Sequence, residues 1–330
     1  MKRILVTGAT GFVGRALLDR LAGDDVEVVA LVRRAGDLAN LTANRPRLQE
    51  RFAGDLTSVT DWAPFVQGVD GVVHLAARVH QMNEDPAVAA TAYTAANVDV
   101  TRGLAEAAKV AGASRFVFVS SIKVNGEGGD RVYRADDPPE ANDPYGRSKR
   151  EAEEVVRIIT ASGGMTHTIL RPPLMYGPGV KANLYKLLQW VDRGRPWPFG
   201  AMRNRRSLLY VGNMADAIAT ALSAPGAAQH TYLLSDGHDL STADLLRAIA
   251  AAMDRQILMA PLSGEFARIL VRLAGRDDLG RRLFGSLQVD SQPFRDDAGW
   301  KPPFTVAQGM QATVDWYRSE QSGTHTQGGR

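Results

Sequence analysis

Short apolar runs rich in β-branched residues alternate along the first half of the chain with stretches whose apolar positions recur every three or four residues. The runs fall at 4–6, 26–32, 69–77 and 116–119, a short run of mixed polarity stands at 48–53, and helical spacing occupies 15–21, 97–111 and 145–161 among others. Continuous apolar runs of this length predict strands buried on both faces, as in a parallel sheet covered by helices. Strand and helix in alternation predict an α/β fold. Proline has no N–H to give a sheet, so Pro172-Pro173 predicts that the chain leaves the sheet there.

The first run leads into Thr7-Gly8-Ala9-Thr10-Gly11-Phe12-Val13-Gly14 and then into helical spacing. Strand, glycine-rich turn and helix in that order predict a dinucleotide site. Gly8 permits a tight turn, Gly11 lets the backbone approach a pyrophosphate, and Gly14 allows close helix–sheet packing. Gly8, Thr10, Gly11, Phe12, Val13 and Gly14 are therefore the expected phosphate-side residues, with the helix N-terminus offering unpaired N–H groups. The spacing G-x-x-G-x-x-G resembles the short-chain dehydrogenase/reductase superfamily, and TGATGFVG resembles its extended branch. That resemblance implies a Rossmann-type doubly wound parallel sheet with a smaller, mixed α/β C-terminal substrate lobe. The expected division is 1–172 for the cofactor domain, with 207–224 returning to it, and 173–206 with 225–318 for the lobe. Residues 319–330 have almost no apolar side chains and are expected to be disordered.

Composition narrows the function classes. A length of 330 residues, 45% hydrophobic and 23% charged residues fit a globular protein of about two domains. A net charge of +3 gives no reason to invoke nucleic acid. The absence of cysteine excludes disulfides, zinc–thiolate sites and a cysteine nucleophile, and no metal site is expected. No apolar stretch approaches the roughly 20 residues that span a bilayer, and MKRILVTG lacks a signal-peptide pattern. The expected location is the cytoplasm.

Further cofactor residues follow along the chain. Positions 31–34 carry no acid to bind a ribose 2′-hydroxyl but do carry Arg33-Arg34, which favours NADP(H) over NAD(H). Solvated loop charges are the alternative for this pair. Gly54-Asp55-Leu56 resembles the family's adenine-contacting turn, and Asp55 also suits a helix N-cap. Leu75, Ala76 and Ala77 end the fourth run with side chains that let a cofactor pass close to the backbone. His74 before them reads as structural. The resemblance adds Asn97, at the bend of the active-site helix, and Ser120. It also adds Arg171, Pro172 and Leu174, from a segment resembling the family's R-P-x-x-V-Y-G-P.

Tyr145 and Lys149 lie four apart at a helix start and so share one face. A free phenol has a pKa of about 10. A neighbouring Lys149 ammonium and a charged nicotinamide are expected to favour the phenolate and make Tyr145 a general acid/base. Ser121, at the end of the preceding strand, would hydrogen-bond the reacting oxygen. With the glycine turn, these three resemble the family's catalytic set. Lys123 and Asn125 become substrate-side candidates, Asn125 standing where relatives often have the tyrosine of V-Y-G in place of Val124-Asn125-Gly126. Asn183 and Arg206 resemble residues that hold a nucleotide-sugar diphosphate, a bidentate task suited to guanidinium.

The motif set resembles the nucleotide-sugar epimerase, dehydratase and reductase group. Dehydratases carry an Asp-Glu pair after the catalytic residue, whereas Ile122-Lys123 stands here. The leading expectation is NADPH-dependent 4-keto reduction of a UDP-linked 6-deoxy, N-acetylated hexose. The alternative is a UDP-hexose 4-epimerase holding NAD. A non-catalytic NADP-binding regulator is a third reading. A lipid-linked sugar epimerase docking through the arginine-bearing stretch 265–285 is a fourth. The resemblance also implies a homodimer through the helices near 97–111 and 146–161.

Overall fold

The computed structural model describes residues 1–79, 86–129, 131–263 and 285–327. The arginine-bearing stretch 265–285 lies, but for its last residue, outside them. The runs form β1 (Arg3–Thr7), β2 (Glu27–Val32), β3 (Leu48–Phe52), β4 (Gly71–His74) and β5 (Arg115–Val119). Further along come β6 (Val132–Tyr133), β7 (Thr166–Arg171), β8 (Leu174–Tyr176), β9 (Leu208–Tyr210), β10 (His230–Leu233) and β11 (Gln288–Val289). Seven of these form one sheet in the order β10-β7-β5-β4-β1-β2-β3, every pairing parallel. The chain runs outward in opposite directions from β1 and β4, so a crevice opens beyond their C-terminal ends. In that register Thr7 stands beside His74.

Both faces of the sheet are covered. Helices α1 (Phe12–Leu21), α2 (Ala39–Thr42), α3 (Ala63–Val66), α4 (Pro86–Tyr93), α5 (Val100–Val110) and α6 (Pro144–Ala161) follow the early strands. Leu104, Ala105 and Ala108 of α5, with Ala152 and Val156 of α6, pack on Phe116, Phe118 and Val72. On the other face Leu17, Leu18 and Leu21 of α1 meet Met214, Ile218 and Leu222 of α8 (Val211–Ser223). Burying each such large side chain is worth roughly 1.5–3 kcal/mol.

The second core joins α7 (Ala182–Asp192), α9 (Thr242–Ala252) and α11 (Val306–Gln327) through Leu184, Leu188, Leu246, Ile249 and Val314. Ser241 caps α9, its hydroxyl accepting from Asp244 N at 3.0 Å. A two-stranded pair, β6 with β11, ties the loop before α6 to this lobe.

Two boundaries differ from expectation. Residues 230–233 were assigned to the lobe but form β10, which pairs with β7 at the sheet edge. Phe294, on α10 (Gln292–Ala298), and Trp300 likewise join the core under the sheet. The stretch 319–327, expected to be disordered, continues α11. Among the described residues no helix is long and apolar enough to cross a membrane.

Candidate active site

The glycine turn is built against the end of β4. Gly8 has φ +68°, and a Cβ there would lie 2.7 Å from Ala76 N. At Gly14 a Cβ would come within 2.2 Å of Gly8 O, so α1 reaches the sheet only with glycine at that position. Gly11 is exposed at the N-cap of α1, with no side chain capping the helix. Thr10 lends its carbonyl to Arg15 Nε at 3.1 Å. Phe12 and Val13 lean on the lobe core and bring only backbone to the turn. Leu75, Ala76 and Ala77 are half-buried opposite it. A turn with no side chain in front of uncapped helix N–H groups fits a dinucleotide pyrophosphate.

At the adenosine side Arg33 and Arg34 are exposed. The loop behind them is held by Glu50, whose carboxylate accepts from Gly36 N and Leu38 N. Asp55 caps the turn Leu56–Ser58, Oδ1 accepting from Thr57 N at 3.0 Å and Thr57 Oγ1 at 2.9 Å. These bonds, with the Arg33 charge nearby, hold its carboxyl below the ordinary value.

Ser121, Tyr145 and Lys149 converge where β5 ends and α6 begins. Ser121 caps the 3₁₀ turn Ile122–Val124, accepting from Lys123 N at 3.2 Å, and its hydroxyl faces the Tyr145 phenol. Asp143 caps α6 through Gly146 N, and Pro144 fills the first turn, where no N–H is needed. Lys149 is 2% exposed. Its Nζ donates to Val119 O at 2.7 Å and lies 4.0 Å above the Phe118 ring. Burial brings this ammonium down to about 7, with the Glu153 carboxylate opposing.

Burial pushes the Tyr145 phenol up to about 12, with Ser121 acting in the opposite direction; the expected phenolate draws on a nicotinamide charge as well as on Lys149. Lys149 is spent on Val119 O, and its own burial weakens its charge.

Three polar residues face inward instead of towards a ligand. Arg171, expected at the nicotinamide, donates to Glu153 through Nε (2.8 Å) and Nη2 (2.6 Å), and to Asn125 Oδ1 (2.9 Å) and Ala135 O (3.0 Å) through Nη1. Asn125, expected at the substrate, is fully buried, its amide spent on Arg171 and Arg134 O. Asn97, expected at the cofactor, is also fully buried. It accepts from Arg78 N and donates to Arg78 O and Ser148 Oγ, inside the π-helical turn Thr94–Asp99. Ser120 is buried, its hydroxyl facing Glu153 without a well-formed bond. Pro172 holds the Ser121 turn through its carbonyl, which accepts from Ile122 N at 3.0 Å. Leu174 is exposed.

On the substrate side Lys123 pairs with Asp143 and Glu127. Asn183 lies half-buried in the first turn of α7. Arg206 donates to Gly285 O at 2.9 Å, and burial holds its guanidinium below the ordinary value. Sequence reasoning missed Asp143 and Glu153. Asp before Pro at a helix start signals the first, and the four-residue step from Lys149 signals the second.

Residues 4–235 match the model of the NAD dependent epimerase/dehydratase family. The UDP-glucose 4-epimerase of Vibrio cholerae is 39% identical over 317 residues, covering 95% of this chain and 94% of that protein. The structure of MoeE5 in complex with UDP-glucuronic acid and NAD superposes with TM-score 0.72 at 25% identity, covering 96% of this chain and 99% of that one. The UDP-glucuronic acid 4-epimerase of Bacillus cereus, in complex with NAD, shares the fold with TM-score 0.77 at 21% identity, covering 96% of each chain. With the glycine turn at the sheet's switch point and the Ser121–Tyr145–Lys149 group beside it, the chain belongs to the NAD dependent epimerase/dehydratase family.

Proposed function

We propose that the chain is a nucleotide-sugar 4-epimerase acting on a UDP-hexose. The observation that carries this reading is that Ser121, at the end of β5, faces Tyr145, one helical turn before the buried Lys149, at the crevice the glycine turn opens into. The full-length similarity to the Vibrio cholerae UDP-glucose 4-epimerase supports the choice of reaction. The turn Gly8–Gly14, with Leu75, Ala76 and Ala77 opposite it, would hold a nicotinamide dinucleotide, which would supply hydride acceptance and return at C4. Tyr145 holds the proton exchanged with the C4 oxygen, and Ser121 hydrogen-bonds the same oxygen. Lys149, fixed by Val119 O, keeps a partial charge one helical turn after Tyr145. Arg206 and Asn183 are the residues for the diphosphate. A pair of subunits packed through α5 and α6, where Val110 and Ile158 are exposed, completes the proposal.

Arg33-Arg34 favours a second reading, NADPH-dependent reduction of a 4-keto sugar. Charge-assisted hydrogen bonds are worth about 1.5–3 kcal/mol. Replacing both by alanine should therefore weaken NADP binding about 10- to 100-fold and leave NAD within about threefold. The deciding experiment denatures the purified protein, identifies the released dinucleotide, and assays UDP-glucose/UDP-galactose interconversion without added cofactor. Interconversion with retained NAD is the expected result. NADPH consumption on a UDP-4-keto-6-deoxyhexosamine, with no interconversion, replaces it by the reductase.

A further inference from the structure

Beneath the site runs a hydrogen-bond chain whose direction is fixed at both ends. The Thr7 hydroxyl accepts from Leu75 N and Ala76 N, each at 3.2 Å. Those bonds occupy both its lone pairs, so its own proton goes to His74 Nδ1 at 2.6 Å. At the other end the Thr101 hydroxyl donates to Asn97 O at 2.6 Å. Its oxygen is then the acceptor facing His74 Nε2 at 3.0 Å. Both ends demand the same imidazole: Nδ1 bare, Nε2 protonated, the ring neutral. His74 is fully buried and stacks at 5.7 Å on Phe118, the ring under Lys149 Nζ. Burial and the Lys149 charge push its pKa down to about 3, which agrees with the hydrogen bonds.

What the chain connects gives it a use. Thr7 holds the end of β4 against the glycine turn. Asn97, one step beyond Thr101, holds the backbone of Arg78 and Ser148 Oγ, and Ser148 lies between Tyr145 and Lys149 on α6. We propose that His74 is a positioning residue: held as the Nε2–H tautomer, it sets the register between the dinucleotide floor and the helix carrying Tyr145 and Lys149. The role rests on the reading of the chain as a nicotinamide-dependent enzyme of nucleotide sugars. A misplacement of about 1 Å between reacting groups costs roughly 10²-fold in rate, and the substrate's own contacts are untouched.

The test uses the full chain with its retained dinucleotide. Nitrogen NMR of ¹⁵N-histidine-labelled protein, with His74→Phe identifying the signal, should show a bare Nδ1 and a protonated Nε2. Thr101→Val should lower kcat about 10- to 100-fold, with KM within about threefold and dinucleotide content unchanged. Thr101→Ser, which restores the hydroxyl, should return kcat to within about threefold of the parent. His74→Phe should match Thr101→Val if it folds, and the threonine pair decides if it does not. A protonated Nδ1, or Thr101→Val with parental kcat, overturns the proposal. So does Thr101→Val with a lowered kcat that Thr101→Ser fails to restore. A parent that turns over no UDP-sugar, with or without NADPH, instead removes the functional reading. The tautomer and the dinucleotide content of the variants then still test the bridge.

Discussion

Replacing Lys149 by methionine should abolish activity and stabilise the fold at the same time. The folded protein holds this lysine at about 7 against an ordinary 10.5. Each tenfold loss of proton affinity is about 1.4 kcal/mol, so keeping the ammonium buried below pH 7 costs on the order of 4–5 kcal/mol. Methionine fills nearly the same volume against Phe118 without a charge. It leaves Val119 O without its donor, a loss of about 1–3 kcal/mol. Burial of charge is the larger effect, and Lys149→Met should gain about 1–4 kcal/mol at pH 6. Between pH 7 and 10.5 the unfolded chain holds a proton here that the folded chain has released, so stability rises with pH through that window. At pH 9 roughly 2 kcal/mol of the original cost remains, so the advantage of the methionine variant should shrink by about 2–3 kcal/mol. Urea unfolding of both proteins at pH 6 and pH 9, followed by tryptophan fluorescence, measures the difference. A variant less stable at both pH values, or a difference independent of pH, refutes the reasoning.

Tyr145→Phe should lower kcat by about 10²–10⁴-fold while the dinucleotide released on denaturation stays at the parental amount. Unchanged turnover removes the phenol from the chemistry. Glu153→Gln leaves the buried Arg171 guanidinium without its counter-charge. It should destabilise by about 3–5 kcal/mol in the same unfolding assay. It should also shift the alkaline limb of the activity–pH profile to lower pH, because Glu153 is the carboxylate that supports the Lys149 charge.

The parts legible in the sequence were those written in local spacing. Ile4-Leu5-Val6 followed by a glycine turn, and Tyr145 four residues before Lys149, carry their geometry in the chain itself. β10 was not legible. Its partner strand ends some 60 residues earlier, and a four-residue run beginning His230-Thr231 has no pattern separating a sheet edge from a lobe strand. The directions of Asn97, Asn125 and Arg171 are not legible, because a motif gives a side chain's position and not its direction, although Asn97 does stand at the expected helix bend. Each points into the protein, towards a neighbour distant in sequence. Desolvation was hidden for the same reason: spacing places Lys149 near Tyr145 but cannot show that the lysine is taken out of water.

The pairing of Val132–Tyr133 with Gln288–Val289 has a consequence for recombining this protein with its relatives. The loop between Ser121 and Tyr145 belongs to the first half of the chain by sequence, yet its backbone is laddered to the lobe, with Gly129 N also donating to Ser286 O at 3.0 Å. A chimaera that exchanges only the residues after Pro172 would mismatch the two sides of that ladder and loosen the segment between Ser121 and Tyr145. The structural unit is therefore discontinuous: the segment around β11 and the loop carrying β6 are one backbone-paired piece.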